Sequence, residues 1–283
     1  MGYWVAVVTR NGADHLPKTL DSLFGQAEAP NRVTVVDDGS TDGTGYILRK
    51  YMELNGNLRV LTKPDRGYDI RRVPDNINRA WTSNADLPAD YFMISGDDCT
   101  YPAGYADSLL ARMQADQRLV VASGHLTSGG SQLRERSPSG SGRMVRSSFW
   151  RQVGSAYPLI AGWETWLLYK AAQRGFRVKL FDDLIYEHER PRGTGHQFVY
   201  WGAAMGTLGY HPLYAAARIA RNGSIRTVGA TGAMSMLRGY LQSQLGSDDP
   251  FILPFDKPLQ KFVKNEQALR MQQIVAKLIR KIS

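Results

Sequence analysis

A single cysteine, Cys99, in 283 residues excludes an internal disulfide and a cluster of thiolate metal ligands. A chain that dispenses with disulfides reads as cytoplasmic. No leader of basic, then apolar, then small residues precedes the first strand-like run, which begins near Tyr3, so no cleaved signal peptide is expected. Long apolar runs are missing too. The longest uncharged stretch, Gln197 to Ala217, reaches spanning length, but Gly202, Gly206, Gly209, His211 and Pro212 interrupt it and weaken it as a membrane helix. Acidic residues are the scarcer sign, 26 against 35 Lys and Arg, for a net charge of +9. That excess favours an anionic partner: a nucleic acid, a phosphorylated substrate or an acidic membrane surface.

Apolar residues make up 43% of the chain and charged ones 22%, an ordinary globular balance with enough material for one large α/β domain and an appended segment. Strand-like runs recur at Tyr3 to Thr9, Arg32 to Asp37, Leu58 to Leu61, Tyr91 to Ser95 and Leu119 to Ser123. Helical spacing fills the gaps, with Leu16, Leu20, Leu23 and Phe24 on one face and Tyr105, Leu109, Leu110 and Met113 on another. Continuous apolar strands alternating with amphipathic helices predict a mostly parallel sheet covered on both sides. Ser128 to Gly142, rich in Ser and Gly, reads either as a passive linker or as a loop over a binding site.

Two of these strands run straight into paired aspartates, VTVVDDGSTDGT at Val33 to Thr44 and YFMISGDDCTYP at Tyr91 to Pro102. Carboxylates crowded at the tips of neighbouring parallel strands repel one another unless a cation or hydrogen-bond donors sit between them, which points to a ribose and a metal-bound phosphate. Taken alone, an Asp-Gly-Ser-Thr string is also an ordinary turn and helix cap.

The ordered series VVTRNGADHLPKTLDSLFGQ, VTVVDDGSTDGT, YFMISGDDCTYP and GRMVRSSFWRQVGSAYPLIAGWETWLLYKAAQRGFRV resembles the motifs of the inverting family 2 glycosyltransferases of the GT-A fold, over roughly residues 3 to 190. The resemblance implies a Rossmann-like catalytic domain over 1–210, with nucleotide-sugar binding in 1–125 and the acceptor side in 126–210. A basic helical extension over 211–283 completes the chain. It implies transfer of a sugar from a nucleoside-diphosphate donor to the hydroxyl of a glycan or lipid-linked acceptor, with Mn2+ or Mg2+ on the diphosphate and no nucleic acid partner. By position, Thr9, Asn11, Asp38 and Ser40 hold the nucleoside, and Arg71 or Arg72 lies near the base or diphosphate. The family's Asp-x-Asp motif reads Ser95, Gly96, Asp97: serine replaces the first acid and could still reach a ribose, whereas Asp97 keeps the carboxylate a hard cation needs. Asp98 is a second metal or diphosphate contact, or a turn cap.

Where the family carries a Glu-Asp pair this chain has Trp163 and Glu164, so Glu164 is the implied general base, with Trp163 beside acceptor or diphosphate. Flanking tryptophans would partly desolvate Glu164 and raise its pKa. His188 falls where the family shows a histidine on the metal or diphosphate, and Arg190, Arg192 and His196 form a basic loop suited to a departing nucleoside diphosphate. The tail from Leu259 to Ile282 places apolar residues near helical spacing among Lys and Arg, and would lie on an anionic membrane at the inner face, on its own domain or on another subunit, with the LRGYLQ segment around Arg238 as a second candidate contact. Two rivals remain at this level: a catalytically degenerate homologue acting as a nucleotide-sugar-binding or membrane scaffold, and a nucleotidyltransferase, whose Gly-rich first loop TRNGADHLPK does not supply.

Overall fold

The structure, a computed structural model, describes residues 2–127, 137–190 and 198–282, the side chains of 275 and 277–282 excepted. The chain divides into two compact units, residues 1–157 with 174–192, and residues 158–173 with 193–283.

In the first unit eight described strands form one sheet: β1 (Tyr3–Thr9), β2 (Arg32–Asp37), β3 (Leu58–Thr62), β4 (Tyr91–Gly96), β5 (Cys99–Thr100), β6 (Leu119–Thr127), β7 (Arg143–Arg146) and β8 (Arg177–His188). Their spatial order is β3-β2-β1-β4-β7-β6-β8-β5. Parallel pairing joins β3, β2, β1 and β4, and also β6 with β8. The short strands β7 and β5 run antiparallel to their neighbours. All five predicted strands form; β8 adds a further parallel one, its apolar residues interrupted by Lys179, Asp182, Asp183 and Glu187, and the two antiparallel strands escaped because RMVR and CT are too short to show a period.

Side chains alternate across β1, and both faces are buried. Tyr3, Val5 and Val7 join Leu16, Leu20 and Leu23 of α1 (Leu16–Phe24), Leu48 of α2 (Thr44–Leu54) and Leu109 of α4 (Tyr105–Ala115) in the main core. On the other face Trp4 stacks on Phe92 and meets Trp81 of α3 (Val73–Ser83), while Phe92 meets Trp150 of α5 (Ser147–Gln152). Burial on both faces is why the strand reads as an unbroken apolar run. The chain leaves β1 toward β2 and β3 on one side and returns to β4 on the other. Order reversal at β1 opens a crevice beyond the carboxyl ends of β1, β2 and β4, where ligands of open α/β sheets bind.

The second unit is helical: α6 (Trp163–Gln173), α7 (Phe198–Thr207), α8 (Pro212–Gly223), α9 (Gly229–Leu245) and α10 (Lys257–Ile282). Helices α7 and α9 cross at backbone contact distance, since a Cβ on Gly202 would sit 1.7 Å from the Met236 carbonyl oxygen and one on Gly239 1.8 Å from that of Val199. The tail helix starts on its own unit. Leu259 and Val263 are fully buried, Gln267 accepts a 2.8 Å bond from the His211 amide, and Lys170 of α6 pairs with Asp256 at 3.0 Å. The described part of the uncharged stretch, from Phe198, is divided between α7 and the start of α8, and no described helix is long and apolar enough to cross a membrane.

Candidate functional site

Strand register carries the acids to one edge of the sheet: Thr9 lies opposite Asp37, Asp37 opposite Thr62, and Val8 opposite Gly96. Asp38, Lys63 and Asp97 are each the first residue beyond a strand end. Backbone bonds fix that spacing, the Asp38 amide donating to Thr9 at 2.9 Å and the Lys63 amide to Asp37 at 2.9 Å.

Asp37 and Asp38 take different tasks. Asp37 accepts from the Ser40 amide at 2.9 Å and hydroxyl at 2.6 Å, which closes the turn. Asn11, with φ of +51°, locks this turn to the first loop, its amide donating to Ser40 Oγ at 2.8 Å and its side-chain oxygen accepting from Thr41 at 2.8 Å. Gly39 has φ of +78°, and a Cβ there would stand 2.5 Å from Asp65 Cα, so no other residue fits. The Asp38 side chain faces cations instead: Lys63 Nζ at 3.1 Å on one oxygen and Arg72 Nε at 2.9 Å on the other. Arg71 turns away and forks onto Asp69. Of the two arginines left open by the sequence, Arg72 therefore reaches the acid tip.

The β4 tip holds the second cluster. Asp97 is 5% exposed and accepts a 2.6 Å bond from Thr9 Oγ1. Arg190 Nη1 lies 3.4 Å from its other oxygen and 3.7 Å from Asp98. Burial pushes the Asp97 carboxyl above its usual range, while Arg190 and the Thr9 hydroxyl oppose that shift. Asp98 meets His188 Nε2 at 3.2 Å, and the other ring nitrogen sits 2.6 Å from the Arg190 carbonyl oxygen. Asp98, Cys99 and His188 bring one ligand atom each within 4.8 Å of one another.

The donor set fits a divalent cation through oxygen and imidazole. Bonds of about 2.1 Å place adjacent octahedral donors about 3 Å apart, close to the Asp98–His188 separation. A second hydrogen bond that fixes the ring is the usual support of a ligating histidine. Cys99 is the poorest donor of the three for a hard, oxygen-seeking cation, because its sulfur is soft and its side chain is fully buried.

Ser95 is 2% exposed, and its hydroxyl donates to the Gly96 carbonyl at 2.7 Å and lies 2.9 Å from Tyr101 OH, inside the Tyr101, Tyr105 and Tyr186 cluster. Trp163 packs against a small core of Ala161, Ala203, Phe251 and Ile252 in the second unit. Glu164 opens α6 and is exposed, whereas Trp166 is buried. On this helix Trp163 and Trp166 stand about 100° and 200° around the axis from Glu164. Arg192, His196 and residues 128–136 of the Ser-rich loop lie outside the described residues. The end of that loop is tied to the β4 tip by the Gly96 amide, which donates to Ser141 Oγ at 3.1 Å.

Three site residues escaped the sequence reading. Lys63 carried a usable signal, a cation just past β3, the strand beside β2. Arg10, which donates to the Asp38 and Gly39 carbonyls at 2.8 and 2.6 Å and pairs with Asp65 at 2.7 Å, had none beyond following β1. Tyr68, 66% exposed and within electrostatic reach of Arg190 and Asp97, had none.

A family model described as "Glycosyl transferase family 2" matches residues 4–184. An uncharacterized glycosyltransferase, MG025 homolog, of Mycoplasma pneumoniae is 38% identical over 65 residues, a stretch covering 22% of this chain and 22% of that protein. The chain thus spans about a fifth of that curated relative's length. Among solved structures, S. aureus TarS 1-349 in complex with UDP-GlcNAc superposes with a TM-score of 0.58 at 16% identity, over 93% of this chain and 78% of that one. The mannosyltransferase PcManGT of Pyrobaculum calidifontis, in complex with GDP-Man and Mn2+, gives 0.56 at 16% identity over 95% and 80%. At such identities the likeness is one of fold.

Proposed function

This chain belongs to glycosyl transferase family 2, and from that premise we propose that it is a glycosyltransferase that moves a sugar from a nucleoside-diphosphate donor to an acceptor hydroxyl with inversion at the anomeric carbon. The observation that carries the reading is the pair of acid tips flanking one crevice, Asp38 between Lys63 and Arg72, and Asp97 with Asp98 facing Arg190 and His188. The solved structures that share the fold carry UDP-GlcNAc in one case and GDP-Man with Mn2+ in another, which supports a donor of that class.

In this reading the Asp38 turn, built with Asn11 and Ser40, receives the nucleoside, and Lys63 and Arg72 fix the Asp38 carboxylate in place to accept its hydrogen bonds. Thr9 keeps Asp97 in place rather than touching the donor. Asp97, Asp98 and His188 would hold a divalent cation. When bound, that ion offsets the charge of the diphosphate and of the leaving nucleoside diphosphate. Arg190 contributes a guanidinium able to fork onto phosphate oxygens. Glu164 accepts the proton of the acceptor hydroxyl as its oxygen bonds to the anomeric carbon and the bond from that carbon to the diphosphate breaks.

The test is turnover of UDP- and GDP-sugars with Mn2+ or Mg2+. Glu164→Gln is expected to lower kcat by about 100-fold or more at nearly unchanged donor affinity. Asp97→Ala is expected to weaken donor binding in the presence of metal. Wild-type turnover in both variants, with the fold intact, refutes the assignment, and retention of anomeric configuration in the product refutes inversion.

A further inference from the structure

Helix α9 is apolar on two opposite sides. Gly232, Met236, Gly239 and Tyr240 are buried, and the glycines admit α7 at close range. On the other side Met234 is 67% exposed, Leu237 45%, Leu241 45% and Leu245 85%. Their spacing of three, four and four residues keeps them on one face, a stripe about 16 Å long at 1.5 Å per residue. A single exposed leucine means nothing, but an aligned apolar row marks a contact surface.

The charge along this part of the chain is mostly of one sign, Asp248 and Asp249 just past the end of α9 being the nearest acids in sequence. No Asp or Glu occurs between Arg190 and Ser247. Arg218 and Arg221 of α8, Arg226 between the helices and Arg238 beside the stripe are all exposed. The second unit as a whole has twelve Lys and Arg against five Asp and Glu. The tail helix α10, picked out by its sequence as the membrane element, is differently placed, since its leading apolar residues Leu259 and Val263 are consumed in packing.

We propose that the outward face of α9, with the arginines of α8 and of the α8–α9 connection, is a docking surface for an anionic lipid bilayer. An apolar row beside arginines is the composition of a helix lying in a membrane interface, and Arg stems can follow the leucines while their heads meet lipid phosphates. A second copy of the chain is disfavoured by the same charges. A two-fold contact through this face would set Arg238 and its neighbours against themselves.

The test is flotation of the full chain with vesicles of phosphatidylcholine alone or with about a third phosphatidylglycerol. Binding is expected only with the anionic lipid and is expected to weaken with salt. Leu237→Gln with Leu241→Gln should lower partitioning at least about tenfold, given what burying two leucines contributes. Replacing Arg221, Arg226 and Arg238 by Gln should lower it about fivefold per residue. Lys257→Gln, Lys261→Gln and Lys264→Gln on α10 should leave it within about twofold, because those lysines stand on a helix whose apolar face is already packed. All these positions are exposed, so unchanged melting temperatures certify the fold. Absence of wild-type flotation, equal flotation on neutral vesicles, or loss with the α10 lysines but not with α9 overturns the proposal. So does a dimer in sedimentation that the leucine substitutions dissociate.

Discussion

Replacing Gly12 with alanine isolates the steric part of the site. Gly12 is not among the residues with positive φ, so its backbone accepts alanine. Its surroundings do not: a Cβ would stand 2.4 Å from Thr9 Oγ1 and 2.5 Å from Asp97 Oδ2. Ordinary contact needs about 3.4 Å or more, so one or both groups must retreat by about 1 Å. Both atoms belong to the same 2.6 Å hydrogen bond, and Thr9 and Asp97 are 1% and 5% exposed, which leaves little room to retreat. Overpacking of this kind costs about 1–3 kcal/mol, and a strained charged hydrogen bond lies in the same range. With about 2 kcal/mol as the central value, a melting midpoint about 4–8 °C lower is expected. A displacement of about 1 Å at a reacting centre is also expected to lower kcat/KM by about 100-fold. The control is Gly104→Ala, where nothing lies within 4 Å of the new methyl group and which is expected to leave stability within about 0.5 kcal/mol or raise it slightly. Thermal unfolding, donor titration and initial rates on the three proteins decide the matter. Wild-type stability and turnover in Gly12→Ala would show that Asp97 is not held as described.

Three further outcomes are expected. Lys63→Met and Arg72→Met should each cost about 1–2 kcal/mol in urea unfolding, and the double variant more than both together, because Asp38 then keeps neither cation; simple additivity would mean the two do not share the carboxylate. Arg190→Ala should raise Mn2+ affinity in the absence of donor by about tenfold in a calorimetric titration, since the guanidinium within 4 Å of both Asp97 and Asp98 opposes an incoming cation, and unchanged Mn2+ binding would contradict that competition. Cys99, fully buried with its thiol pushed up to about 12, should resist thiol reagents between pH 7 and 9 and react only at the rate of unfolding; rapid labelling of the native protein would refute its burial.

The acid tips themselves were legible in the sequence, because a strand followed by Asp-Asp-Gly-Ser has few places to go in a parallel sheet. Their partners were less so. Arg71 and Arg72 are adjacent and chemically identical, and only the 3₁₀ turn at Ile70–Arg72 sends one to Asp38 and the other to Asp69. Lys63 is 25 residues from Asp38 in sequence, a contact made by strand pairing alone. Ser95 reads as a site residue by its motif position, yet its hydroxyl is taken up by Tyr101. The tail shows the same limit: its spacing identifies a helix, whereas the burial of Leu259 and Val263 and the bond from Gln260 to the Thr207 carbonyl of α7 appear only in the folded chain.

By itself the sequence determined the family, the order of the strands along the chain and the identity of the acids, since each depends on local pattern and motif order. Tertiary structure alone decided which cation meets which carboxylate, which hydroxyl is free and which of two amphipathic helices keeps an unpartnered face. Those outcomes depend on elements brought together across long stretches of chain. Pairing register and close packing, not local propensity, set the few ångströms that separate a hydrogen bond from no contact.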